Sequence, residues 1–290
     1  MSTQSPTTRS TGPAGGNAGS AGSAGSRASG GGAHPATDRT VPPLTLAALH
    51  FRMTFLETIR VPVAVIGAAV FPALAMLFFV APQQALAQDP VASTGATAQL
   101  AVFAVLSTCI FSYGVGVAED RALPFDPYVR TLPAGPGPRL AGRVLTGTVF
   151  ALLGIVPLVL VAVLLTEATI TPVRFLLATG LLVLAATPFL LLGLTIGYAL
   201  SSKAAIAVAQ VVVFPLAFAG GLFVPPETFP RWLDALSQGL PSLAARDVVV
   251  PVAAGGEPAM LAFVVLAAWT VVFAVLVRIV YRRDEGRRFR

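Results

Sequence analysis

The residues best equipped for chemistry are concentrated between Glu119 and Arg143, in EDRALPFDPYVRTLPAGPGPRLAGR. Glu119, Asp120, Arg121, Asp126, Arg130, Arg139 and Arg143 supply charge there, and Phe125 and Tyr128 supply aromatic area. Adjacent carboxylates such as Glu119 and Asp120 invite a metal or acid–base reading. On a helix, however, sequence neighbours point to different sides, and no further ligand stands close by. His34 and His50 lie in a tail and a flank, at a spacing that matches no zinc pattern. The single cysteine, Cys109, sits in an apolar run, which excludes an intrachain disulfide and a cysteine-based metal site. No catalytic residue and no metal site is assigned.

Asp126-Pro127 points to docking. Aspartate is a good N-cap and proline suits the first helical position. The turn that follows, through Leu132, ends at Pro133 and Gly135-Pro136. Such a helix carries Tyr128, Arg130 and Leu132, with Phe125 just ahead of it. Aromatic and aliphatic knobs among charges suit a groove on a partner protein. A solvated turn would account for the arginines but not for the aromatics.

The surroundings of this stretch are apolar. The chain of 290 residues is 55% hydrophobic and 11% charged, with a mean hydropathy of +0.80. Soluble domains average about 25% charged residues. An all-α integral membrane protein is expected. Six charge-free gaps cover 61–88, 90–118, 144–166, 175–202, 204–226 and 258–277. Each is long enough for a helix to cross the hydrocarbon, where charge is costly. Six transmembrane helices are therefore placed near 62–81, 98–118, 143–165, 173–199, 204–223 and 259–281.

Arginine and lysine set the orientation. With the N-terminus inside, 16 of the 19 basic residues fall on inner segments, and only Arg174, Arg231 and Arg246 lie outside. Both termini and the 119–143 loop are then cytoplasmic. The net charge of +6 flanks the apolar runs and forms no single patch, which argues against nucleic acid as a partner.

Residues 1–43 are rich in Gly, Ser and Ala, and are expected to be a disordered cytoplasmic tail. Residues 44–60 read as an interfacial helix on the inner leaflet, the alternative being a continuation of the first span. Residues 284–290 read as a basic tail. Between spans five and six, Thr228 is the expected N-cap of a short helix carrying Trp232, Leu233 and Leu236. Gly239 and Pro241 end it, and Ser242 is expected to cap a second helix running to Arg246. The two helices either dip into the outer leaflet or lie flat on it.

Lys203 is the only lysine, and Ala204 follows it. A phosphate-binding loop needs Gly-Lys-Ser/Thr, so this chain has no such loop of its own.

At this point the chain resembles the membrane subunit of ABC-2 type exporters. The resemblance covers roughly 44–283 and rests on three features in order. The first is the loop carrying Glu119, Arg121, Tyr128, Arg130, Leu132, Pro133, Arg139 and Arg143. The second is the exit from the fifth span, with Gly220, Gly221, Pro225, Pro230, Trp232 and Pro241 as an extracellular re-entrant element. The third is the amphipathic lead-in before six spans. What the resemblance implies is a permease without its own ATPase site, paired as a homodimer or heterodimer and surrounded by membrane lipids. A separate ABC ATPase subunit would bind ATP and Mg and push on a cytoplasmic coupling helix. The coupling residues would be Glu119, Arg121, Phe125, Asp126, Tyr128, Arg130, Leu132 and Arg139. The second and fifth spans would line the cargo path, with Phe103, Ser107, Ile110, Phe111, Gln210, Phe214 and Phe218 near the cargo.

No Asp, Glu, His, Lys or Arg falls in mid-span, which argues against an ion-coupled carrier. Phenylalanines with a few hydroxyls and one amide suit a hydrophobic or amphipathic cargo such as a drug, antibiotic or lipid. Multidrug or antibiotic efflux across a bacterial plasma membrane is the expectation. An ATP-independent membrane scaffold is the alternative, with a secondary carrier behind it.

Overall fold

The computed structural model describes residues 42–60, 70–123 and 136–288. All regular structure among them is helical. The helices are α1 (Pro43–Ile59), α2 (Val70–Val80), α3 (Gln84–Ala87), α4 (Pro90–Ala122), α5 (Pro136–Leu165), α6 (Pro172–Ala199), α7 (Ser202–Ala219), α8 (Arg231–Ser237), α9 (Pro241–Ala254) and α10 (Met260–Arg288). Five of these are long and apolar enough to cross a membrane: α4, α5, α6, α7 and α10. The span expected near 62–81 is represented by α2, since residues 61–69 lie outside the described residues. The tail at 1–41 lies outside them too.

Several boundaries differ from the sequence reading, each for a local reason. The second span starts at Pro90, not near 98, because Asp89 caps it. The Asp89 carboxylate accepts from the amides of Val91 at 2.8 Å and Ala92 at 3.1 Å, and Pro90 takes the first helical position. The third span's helix begins at Pro136, ahead of 143. The fifth ends at Ala219, before Gly221 turns the chain at φ +69°. The last helix continues to Arg288, so much of the expected basic tail is helical, and Asp284 within it is buried.

Between α7 and α10, Thr228 is no N-cap. It ends a 3-10 turn, and its hydroxyl donates to the Pro225 carbonyl at 2.8 Å. Pro230 precedes α8 instead. The next helix, α9, runs on past Arg246 to Ala254, where Gly255 at φ +100° stops it. Ser242 does not cap it; its hydroxyl is buried and has no partner among the described residues. Leu243, Ala245, Val248 and Val249 bury α9 against α4, α6 and α10.

The centre of the bundle is α4. Its most apolar window is 72% buried, against 17–22% for the other four spans. A π-helical segment, Ile110–Val115, interrupts α4 before its last two turns, Gly116–Ala122. Each π turn takes in an extra residue, so side chains beyond it are rotated by about 100° relative to a regular helix. Within the segment Tyr113 faces α5, where its hydroxyl donates to the Val144 carbonyl at 2.8 Å. On the other side, α6 approaches through Gly193 and Gly197. A Cβ on Gly193 would lie 2.5 Å from the Cys109 carbonyl oxygen, and one on Gly197 2.6 Å from that of Tyr113. This GxxxG pair thus serves packing within the chain. Gly142 does the same for α1, which lies along the start of α5, with Phe55 stacked on Phe150 at 5.2 Å.

Candidate functional site

Two groups of side chains converge on opposite stretches of α4. The first surrounds its last turn. Arg121 reaches across to α6 and α10. Its guanidinium donates to the Gly197 carbonyl at 2.6 Å and the Leu200 carbonyl at 3.3 Å. It also forms a hydrogen-bonded ion pair with Asp284. The Tyr198 ring lies beneath it at 5.8 Å, in edge contact with Tyr281 at 5.1 Å. Both members of the pair are shielded, with 15% and 8% of their side chains exposed. Helix geometry explains the choice of acceptors. The last carbonyls of α6 have no intrahelical partner, and a cation at a helix C-terminus satisfies them.

Neighbouring contacts extend this junction. Asp120 pairs with Arg143, which lies over Gly116. Ser202, opening α7, donates to the Ala118 carbonyl at 3.1 Å. The end of α4 is thus tied to α5, α6, α7 and α10 by polar contacts. Glu119 is exposed and turns away from these contacts. Phe125, Asp126, Tyr128, Arg130 and Leu132 lie outside the described residues, and Arg139 is described only as part of the α5 backbone.

The second group is aromatic. Phe103 of α4 meets Phe223 at 4.7 Å between ring centroids and Phe71 of α2 at 5.5 Å. Phe218, near the end of α7, meets Phe223 at 5.1 Å. Two sequence-picked residues, Phe103 and Phe218, are therefore brought together through Phe223, which the sequence did not single out. Ile110 is fully buried and Phe111 half-buried, both in the π segment. Gln210, Phe214 and Phe218 recur every four residues on one exposed stripe of α7. Ser107 has a buried hydroxyl without a partner among the described residues. The hydroxyls of Thr146, Thr148, Thr195 and Thr270 each donate to the carbonyl four residues back, as Thr195 does to Leu191 at 2.8 Å.

The re-entrant picks are dispersed differently. Gly220 abuts Ser242, and Gly221 abuts Pro226, so α9 and the 3-10 turn seat on the end of α7. Trp232 is exposed on α8. Pro225 precedes the 3-10 turn, Pro230 precedes α8, and Pro241 opens α9. The sequence reading named Arg246 as an outer basic residue but neither of its partners, Gln99 and Asp247. Arg246 donates to Gln99 of α4 at 3.3 Å and to Asp247 at 2.9 Å.

Comparison with known proteins follows the same outline. A family model described as "ABC-2 type transporter" matches residues 47–250. The "Putative transport permease YvfS" of Bacillus subtilis (strain 168) is 24% identical over 187 residues, which span 64% of this chain and 76% of that protein.

Proposed function

The chain belongs to the ABC-2 type transporter family, and from that premise we propose that it is the permease half of an ATP-driven exporter of hydrophobic or amphipathic cargo. Its role is that of a multi-pass transport permease, and the family implies an ABC ATPase as its partner. In this reading the ATPase binds ATP and Mg. Two permease copies, identical or related, pair in a bacterial plasma membrane, with six spans each and both termini cytoplasmic. Efflux of a drug, antibiotic or lipid-like molecule is the transport step.

The Arg121 junction carries the mechanism. The segment that would receive force from the ATPase leaves α4 immediately after this junction. A push on residues 124–135 reaches α4 first, and the buried pair with Asp284 and the two α6 carbonyls passes it to α6 and α10. Contacts of this kind are directional and break discretely, which suits switching between two arrangements.

The exposed stripe on α7 supports the cargo path. An amide facing hydrocarbon is costly. Gln210 gains a polar environment if that stripe borders a water-filled path shared with a second permease. Phe103, Phe218, Phe223 and Phe71 would then close one end of it. The test is copurification with the ATPase. Tyr128→Ala combined with Arg130→Ala should abolish complex formation while the permease stays monodisperse. An undiminished complex would favour the scaffold reading instead.

A further inference from the structure

Helices joined by a short connection ordinarily pack antiparallel on one another. α5 and α6, linked by residues 166–171, make little direct contact. They straddle α4, and the gap between them is a cleft of about 580 Å³. Its floor is made of small residues, Ala98 and Ala101 of α4 and Ala253 of α9, together with Val249. Its mouth is bordered by the exposed side chains of Val156, Leu160, Val163 and Phe175.

The lining runs along α5 from Leu152 to Val163, a rise of about 16 Å. That is about half the ~30 Å hydrocarbon core, the depth of one leaflet. The hydroxyls of Thr94 and Thr97, at the 166–171 end, are already used. Thr94 donates to the Pro90 carbonyl at 2.6 Å and accepts from the Thr169 amide at 3.0 Å. Thr97 donates to the Ser93 carbonyl at 2.7 Å. The cleft therefore offers hydrocarbon contact and little else. At its rim the exposed Arg174, one residue before Phe175, lays its guanidinium against Gly255. A Cβ at Gly255 would displace that group, and φ +100° also favours glycine there.

We propose that this cleft binds the acyl chains of a single phospholipid, with Arg174 holding the phosphate. Leaflet-deep apolar walls and a cation at the headgroup level match the two halves of such a molecule. The site lies between α5 and α6, away from the stripe on α7, and requires only that the chain sits in a membrane. It therefore stands or falls independently of the transport reading.

The full chain can be reconstituted in phosphatidylcholine–phosphatidylglycerol vesicles containing a trace of phosphatidylglycerol with a mid-chain diazirine. Illumination and peptide mass spectrometry then locate the label. Labelling should concentrate on 152–163 and 175–182. Ala101→Phe, or Ala178→Leu if the first variant is not monodisperse, should reduce it about ten-fold by filling the cleft. Labelling of α10 in the same samples should not change. A diazirine diacylglycerol, which lacks the phosphate, should label the cleft only as well as phosphatidylglycerol labels Arg174→Ala. Even labelling of all lipid-facing helices would overturn the site, and so would labelling that the filling variants leave unaltered. Equal labelling by the two lipids would overturn the role of Arg174. Disulfide-linked dimers formed through Val156→Cys would show that a second copy covers the cleft, and would overturn the proposal.

Discussion

The two functional groupings on α4 hold the same helix by opposite physics. Around its last turn, Arg121, Asp120 and the Ala118 carbonyl make hydrogen bonds and ion pairs to four other helices. In its Pro90 half, Phe103 meets Phe71 and Phe223 through ring contacts alone. Polar contacts in a shielded site have fixed geometry and a large cost when half broken. Aromatic contacts tolerate sliding, because offset and edge arrangements are close in energy. In the proposed mechanism one end transmits a displacement and the other yields to it. α4 joins them through a π segment, a feature often found where a helix must do more than span.

The severest way to break this contrast is to detach the π segment from α6. Gly197→Leu would place a side chain where the Tyr113 and Gly114 carbonyls already lie, 2.6 and 2.8 Å from a Cβ. Neither backbone can move without disturbing α4, so a monodisperse peak on size exclusion should be lost. Next is the ionic junction. Asp284→Ala removes the carboxylate from a shielded Arg121 and should cost about 3 kcal/mol, read as a lowered unfolding midpoint in detergent. Arg121→Met with Asp284→Leu should recover much of that loss, yet leave ATP hydrolysis uncoupled from transport. Recovery of both stability and coupling would show that the junction serves packing alone. Phe223→Ala should cost less, about 1–3 kcal/mol for the lost ring contacts with Phe71, Phe103 and Phe218, and should make transport leaky. Phe223→Leu should keep most of the stability, which separates filling space from aromatic contact.

The spans were legible because the cost of charge in hydrocarbon acts on single residues, so charge-free gaps mark them without any partner. Caps were legible only where side-chain chemistry decided them. Asp89-Pro90 is such a cap, and setting a span-length helix at the far end of the gap instead placed the span's start eight residues late. Partners across helices were hidden. Arg121 stands out in the sequence, but its acceptors lie 76, 79 and 163 positions away. Asp284, among arginines, resembled a tail residue. Phe223 and Phe71 carried no signal beyond hydrophobicity, and only the convergence of α2, α4 and α7 sets them beside Phe103. The docking residues from Phe125 to Leu132 rest on the sequence argument and the family.

The smallest expected effect tests whether the Pro90 half of α4 is truly free of ionic attachment. Arg246 reaches Gln99 there, and Asp247 beside it is its counter-ion. Burial pushes the Asp247 carboxyl above its ordinary value, the Arg246 charge and hydrogen bond oppose that shift, and Glu227 adds to it. A carboxyl with a raised folded-state pKa binds its proton more tightly in the folded chain than in the unfolded one. Stability then falls as pH rises from the ordinary carboxylate range through the raised value, and is greatest below it. Asp247→Asn should flatten that slope in unfolding midpoints measured between about pH 4 and pH 7, with little change in coupling. Asp284→Asn, by contrast, should impair coupling throughout the same range. A strong coupling defect in Asp247→Asn would mean that α4 is held ionically at both ends, and the aromatic half would no longer be the yielding one.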